Sequence, residues 1–172
     1  VTGKMAPADP NTVVNVVLRV IGGEVVQVAK ISQKLGPMGV NTRAIAGDLT
    51  KAVEDWPGIR VTVNVAILNR QGTVSIIPTA SSLVIKALNE PKRNRKEEEM
   101  THDGTVPFDA ICSIAKQIHH KSYAMELAGT VKSVLGSCVS VGCSILVDGE
   151  TMCPQDVIEM IQDGDLTVPD LE

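Results

Sequence analysis

Four cysteines, three histidines and two glycine-rich segments are the groups in this 172-residue chain whose types and spacing invite a chemical reading. Cys112 and His119 stand seven positions apart, so on one helix they share a face, as a thiol nucleophile and its base would need. Cys112 nevertheless sits among Ile111, Ile114 and Ala115, a setting in which a thiol is a small core residue. His119-His120-Lys121 end the same apolar repeat, where cationic groups suit a helix C-terminus. Cys138, Cys143 and Cys153 are separated by four and nine residues, without the CxxC pairing of structural zinc, so free thiols and no metal are expected. The nucleophile elbow, phosphate-binding loop, zinc-peptidase and dinucleotide signatures are absent. No catalytic residue and no cofactor is expected, and a cytosolic thiol enzyme using Cys112 with His119 stands only as an alternative.

The glycine-rich segments suggest binding. Gly36-Pro37-Met38-Gly39 precedes Asn41, between the first strand and the following helix. Glycine permits backbone angles closed to other residues and proline stiffens the loop, so it is either a tight connection or a rigid projection offered to a partner. In Gly136-Ser137-Cys138-Val139-Ser140-Val141-Gly142 small residues strip bulk from one surface. Gly136 is read as interrupting a helix, with Ser137 capping a short one through Val141 whose first amides point outward. Such a surface suits a phosphate-sugar backbone, with hydroxyls meeting 2′-OH groups; close helix packing is the bland reading.

The elements that hold these segments follow from periodicity. Residues 1–11, with Pro7 and Pro10, form a loose arm. Residues 13–20 alternate as a strand, Asn41/Thr42 cap a helix carrying Ile45, Leu49 and Val53, and residues 59–68 are the clearest strand. Asn69 to Gly72 is a hairpin turn, 73–77 returns, and 81–88 is a second helix. This predicts an α+β protein, opening with a β-α-β-β-α sandwich on a small antiparallel sheet at 12–88. A charged linker without apolar periodicity follows at 89–105. From Pro107 onward helical spacing takes over: Phe108, Ile111, Ile114 and Ile118, then Tyr123, Leu127, Val131, Val134 and Leu135. Pro154 opens a last helix that Gly164 closes, so 106–164 is read as a compact all-helical domain and 165–172 as an acidic tail.

Composition limits the partners. Only Trp56, Phe108 and Tyr123 are aromatic, which excludes recognition by base-stacking platforms. No apolar run approaches the roughly 18 residues of a membrane span, and no secretory signal is visible, so a cytoplasmic protein without membrane contact is expected. Net charge is −4, yet residues 148–172 hold eight acidic and no basic residues, so the rest is net +4 and a polyanionic partner is compatible. A free adapter that binds basic proteins through the acidic tail is the other alternative.

Several blocks, in order, resemble one family: Arg19-Val-Ile-Gly-Gly-Glu-Val25, Gly36-Pro-Met-Gly39, Trp56-Pro-Gly-Ile-Arg-Val-Thr-Val63, Asn69-Arg-Gln71, Pro78-Thr-Ala-Ser-Ser-Leu-Val-Ile-Lys-Ala-Leu88, Phe108-Asp109 and Gly136-Ser-Cys-Val-Ser-Val-Gly-Cys143. They resemble the large-subunit ribosomal proteins called L eleven in bacteria, numbered twelve in eukaryotes, from Asp9 to about Gly164. The resemblance implies two domains at the base of the ribosomal stalk. A helical C-terminal domain would grip rRNA of the GTPase-associated centre, and an N-terminal domain would face translational GTPase elongation factors beside the stalk scaffold and acidic stalk proteins. Gly136, Ser137, Cys138, Ser140 and Gly142 fall on the family's rRNA-contact motif, where Ser137 replaces a threonine and Cys138 an alanine. Lys132 and the linker's Lys92, Arg93 and Arg95 join them as candidate rRNA contacts. Gly36, Pro37, Met38 and Gly39 fall on the factor-facing loop. Residues 30–35 lack the bacterial proline-rich stretch, which points to the eukaryotic-archaeal side.

Overall fold

The computed structural model describes residues 13–23, 25–90, 102 and 104–168. They form two compact units that divide between Ile77 and Pro78. Both mix helices and strands, so the α+β class read from the sequence stands.

The first unit contains β1 (Val14–Ile21), α1 (Val28–Leu35), a 3-10 turn (Gly36–Met38), α2 (Thr42–Ala52), β2 (Arg60–Leu68) and β3 (Gln71–Ile77). The three strands form an antiparallel sheet with β2 in the middle, pairing Val16 with Val65 and Val65 with Val74. Alternation along β2 buries Val61, Val63, Val65 and Ile67 on one face. Helix α2 lies on that face: a Cβ added at Gly72 would come within 2.7 Å of Ile45 Cδ1 and 3.3 Å of Val65 Cγ1. Asn69 and Arg70 take left-handed φ angles of 50° and 63°, the twist that joins β2 to β3 through two residues.

Helix α1 is not foreseen by the sequence reading. Its first turn has no side-chain cap, and among its described side chains only Ile31 and Leu35 are buried, too short a pattern to stand out. Gly22 fastens β1 to the turn before β2. Its N–H donates to Ile59 O at 2.8 Å and its carbonyl accepts from Gly58 N at 2.9 Å. A Cβ there would fall 1.7 Å from Trp56 O, so only glycine fits.

The second unit contains α3 (Ala80–Leu88), β4 (Thr105–Pro107), α4 (Phe108–Ile118), α5 (Leu127–Val141), β5 (Ser144–Val147), β6 (Glu150–Met152) and α6 (Pro154–Asp163). Its core joins Val84, Ile111, Val131, Leu135, Ile145 and Val157 into one cluster. The helical character read for this half is present, with one correction: it also carries a sheet of order β4-β5-β6. Those strands are only three or four residues long, below the length at which alternation becomes legible. The predicted closing helix is α6, with Gly164 in the left-handed region at its end.

The division at 12–88 and 89–105 is corrected as well. Val84 is fully buried in the second unit's core, with Leu83, Ala87 and Leu88 packed against it, so α3 belongs there. A helix with one apolar face does not encode which neighbour covers it. In consequence 89–105 falls within the stretch of chain assigned to the second unit. Its described flanks meet within the second unit, with His102 Nδ1 2.7 Å from Glu90 Oε2 and Gly104 held against Leu88. Most of 89–105, like the arm at 1–11, lies outside the described residues.

Two core substitutions separate the units. Gly22→Ala should destabilise the first unit by about 3 kcal/mol, and Val84→Ala the second by about 2 kcal/mol. Residue-resolved urea titration by NMR should show each change confined to its own unit; a Val84→Ala loss read in the β1–β3 amides would contradict the placement of α3.

Candidate nucleic-acid interface

Helix α5 runs without interruption from Leu127 to Val141. The reading in which Gly136 breaks it and Ser137 caps a second helix is therefore corrected. Ser137 Oγ donates to Ser133 O at 3.3 Å, a bond made from inside a helix, and no helix N-terminus lies there. The inner stripe explains the continuity. Leu127, Thr130, Val131, Val134, Leu135 and Cys138 are all buried, at helical spacing on both sides of the glycine. Tyr123 is not on this helix; it precedes it and is fully exposed.

The opposite face of α5 presents Lys132, Ser133, Gly136, Ser137 and Ser140, at separations of three and four residues. Gly136 is exposed, and a Cβ added there would find nothing within 4 Å. Glycine inside a helix costs about 1 kcal/mol relative to alanine. The packing of the described residues does not require it. Ser140 Oγ donates to Ser137 O at 2.8 Å, which leaves the hydroxyl's lone pairs as acceptors on the surface. Lys132 is the only charged residue between 127 and 141. The face is bare, hydroxylated and free of carboxylates.

Two of the candidate contacts have other duties. Cys138 is fully buried and points into the core, so its assignment as an rRNA contact is corrected: its turn of the helix is on the apolar side. Gly142 is exposed, yet its φ of 87° closes the helix, with its own N–H and that of Cys143 both donating to Cys138 O, at 2.9 and 3.3 Å. The helix end accounts for that glycine.

Lys92, Arg93 and Arg95 lie outside the described residues. The flanks of their segment, however, sit near this end of α5. Ser144 N donates to Gly104 O at 3.2 Å, two residues past the glycine that closes the helix. In the first unit, Gly36, Pro37 and Gly39 are exposed and Met38 is half-buried. Gly39, at φ 67°, donates to Gly36 O and ends the 3-10 turn between α1 and α2. The segment thus follows α1 rather than β1 directly.

The thiol reading fails on its chemistry. Cys112 is buried, and burial, with Asp109 adding to it, raises its pKa, the reverse of what a nucleophile needs. His119 Nδ1 lies 2.9 Å from Thr130 Oγ1, a neutral hydroxyl on α5. Burial pushes Cys138 up to about 12 and raises Cys143. Among the described residues, no group of three metal-binding side chains comes together.

A bared helix face on a well-packed helical unit, joined in sequence to a small α/β unit, defines a two-domain binding protein. Family comparison specifies it further. The model described as "Ribosomal protein L11, N-terminal domain" matches residues 16–71. The one described as "Ribosomal protein L11, RNA binding domain" matches 76–145, a range that includes α3 and α5. The chain belongs to the ribosomal protein L11 family, whose members are structural rather than enzymatic. It is 45% identical over 162 residues to Large ribosomal subunit protein uL11A of Schizosaccharomyces pombe, covering 94% of this chain and 96% of that one. It is 43% identical over 164 residues to Large ribosomal subunit protein uL11z of Arabidopsis thaliana, with the same coverage.

The thiol environments predict a reactivity pattern. With iodoacetamide near neutral pH, exposed Cys153 should react quickly and Cys112, Cys138 and Cys143 only on unfolding, as peptide mass mapping would read. Because the folded Cys138 pKa exceeds the unfolded one, its contribution is complete below about pH 9 and is lost as pH rises towards about 12. Thermal midpoints of the second unit should fall across that window, less steeply in Cys138→Ala.

Proposed function

We propose that this chain is a structural constituent of the large ribosomal subunit that holds rRNA against the outer face of α5. The observation that carries this reading is Gly136: a helix-interior glycine, exposed, with open space above it and no role in the packing of the described residues. An external backbone approaching closer than a side chain would permit accounts for its cost. Ser137 and Ser140 offer hydroxyl oxygens to ribose 2′-OH groups, Gly136 bares the peptide between them, and Lys132 pairs with one phosphate. Lys92, Arg93 and Arg95 would add further phosphate contacts. Recognition is then by shape, with a small electrostatic share.

The L11-family membership supports the wider assignment. In this reading the rRNA belongs to the GTPase-associated centre at the stalk base of cytoplasmic ribosomes. The first unit, through Gly36, Pro37, Met38 and Gly39, faces translational GTPase elongation factors beside the stalk scaffold and the acidic stalk proteins. GTP hydrolysis is the factor's chemistry, and this protein is part of the platform.

Gly136 permits a test in which stability and binding move in opposite directions. Gly136→Ala should stabilise the helix by about 0.5–1 kcal/mol while weakening affinity for the isolated rRNA fragment. Gly136→Leu and Ser140→Trp should weaken it by about tenfold or more, with the β1–β3 amides unchanged. Lys132→Gln should lower the salt slope of binding by about one ion. Equal affinity of wild type and Ser140→Trp would remove α5 from the interface.

A further inference from the structure

Two apolar side chains of the second unit stand fully in solvent, on a loop that is itself tied down. Tyr123 and Met125, at 104% and 97% exposure, are the only exposed large hydrophobic residues between 105 and 138. The loop that carries them, between α4 and α5, has several anchors. Ser122 N donates to His119 O at 3.0 Å, and Lys121 Nζ donates to Pro78 O at 3.0 Å. Ala124 N donates to Ser122 Oγ at 3.2 Å. Ala124 also rests on α5: a Cβ added at Gly129 would fall 2.8 Å from Ala124 Cβ. Ser122 and Ala124 are half-buried against the unit, which leaves Tyr123 and Met125 together on the outer side.

Gly129 fixes where this pair stands relative to the bare face of α5. It precedes Gly136 by seven residues and Ser140 by eleven. At 3.6 residues per turn the three lie within about 20° of one line along the helix. Ala124 covers that line at Gly129, whereas Gly136, about 10 Å further along the axis, is open. The loop therefore forms a step at the N-terminal end of the bare face, with Tyr123 and Met125 rising from it. A strand lying over Ser140 and Gly136 meets them as it continues along the helix.

We infer that Tyr123 and Met125 clasp one unstacked base of that RNA strand, the tyrosine ring on one face and the thioether on the other. The inference rests on the α5 reading and extends it. Alternate residues of an extended segment stand about 7 Å apart on the same side. Ser122, at φ −79° and ψ 144°, starts the segment in that conformation. Such a gap takes one base, because stacked bases repeat every 3.4 Å or so, about 7 Å for two steps. Every base has a π face, so a ring holds one without reading its edge. A platform for successive bases needs more rings than this unit has, and a single clasp needs one. The flanking charges, Lys121 and Glu126, are of opposite sign, so stacking and not phosphate attraction supplies the contact. A protein partner fits less well. Its interface takes roughly 800 Å² from each side, and no other exposed apolar residue between 105 and 138 enlarges this pair.

The test uses the full chain and the isolated rRNA fragment. Tyr123 is the only tyrosine, so ring-labelled tyrosine gives one NMR signal set, which should move upfield when the RNA binds. Tyr123→Ala should weaken binding by about tenfold or more, and Tyr123→Phe by less than about twofold. Met125→Ala should weaken it by about threefold. Because no phosphate contact is lost, Tyr123→Ala should keep the wild-type salt slope, unlike Lys132→Gln. Both positions are fully exposed, so thermal midpoints should stay in place. Wild-type affinity in Tyr123→Ala, beside a loss in Ser140→Trp, would overturn the clasp and leave the α5 reading standing. Wild-type affinity in Ser140→Trp would overturn both. Equal losses in Tyr123→Phe and Tyr123→Ala would also overturn the clasp, since stacking needs the ring and not its hydroxyl.

Discussion

The second unit depends on one helix being gripped from one side only. Leu127, Val131, Val134, Leu135 and Cys138 place an unbroken apolar stripe of α5 in the core. Burial of each large aliphatic side chain contributes roughly 1.5–3 kcal/mol, while a helix glycine costs about 1 kcal/mol and each serine less. The stripe outweighs the poor propensity of Gly136, Ser137 and Ser140 several times over. That surplus lets the outward face stay bare. A helix held by its own propensity could not present peptide groups in this way.

Three glycines show how a positional requirement of the fold differs from one imposed by a partner. Gly22 has Trp56 O where a Cβ would be, and Gly142 sits in a left-handed conformation that ends α5. The chain itself demands both. Gly136 has neither constraint, being helical and open above. In the function proposed above, its requirement comes from outside the polypeptide. The same reasoning moves Cys138 out of the interface and into the core, where a small residue is needed beside Cys143.

Charge is distributed to suit contact on selected faces. The acidic residues of 148–172 lie after α5, and the helix itself carries no carboxylate. In the first unit, Arg19 and Arg60 gather on one face at the end of the sheet. The overall net charge of −4 therefore says little about either surface. Local sign, within a Debye length of about 8–10 Å, governs approach.

Much of the architecture was legible in advance where a pattern repeats over enough residues. The alternation of β2, the Asn69-Arg70 hairpin, the Asn41 cap of α2 and the helical stripes of α4 and α6 all declare themselves in periodicity or turn chemistry. The residue types of the candidate interface were legible too, as an ordered run of small side chains. Short elements were not: α1, β4, β5 and β6 offer too few positions for a period to emerge. By itself, then, the sequence determined the class of the fold, its longer elements and the family. Only the tertiary structure decided that α3 completes the second core, that α5 runs through its glycine, and that Cys138 and Ser140 of one motif face opposite ways. Local pattern specifies that an element has an apolar side, but which partner covers that side is a property of packing between segments far apart in the chain.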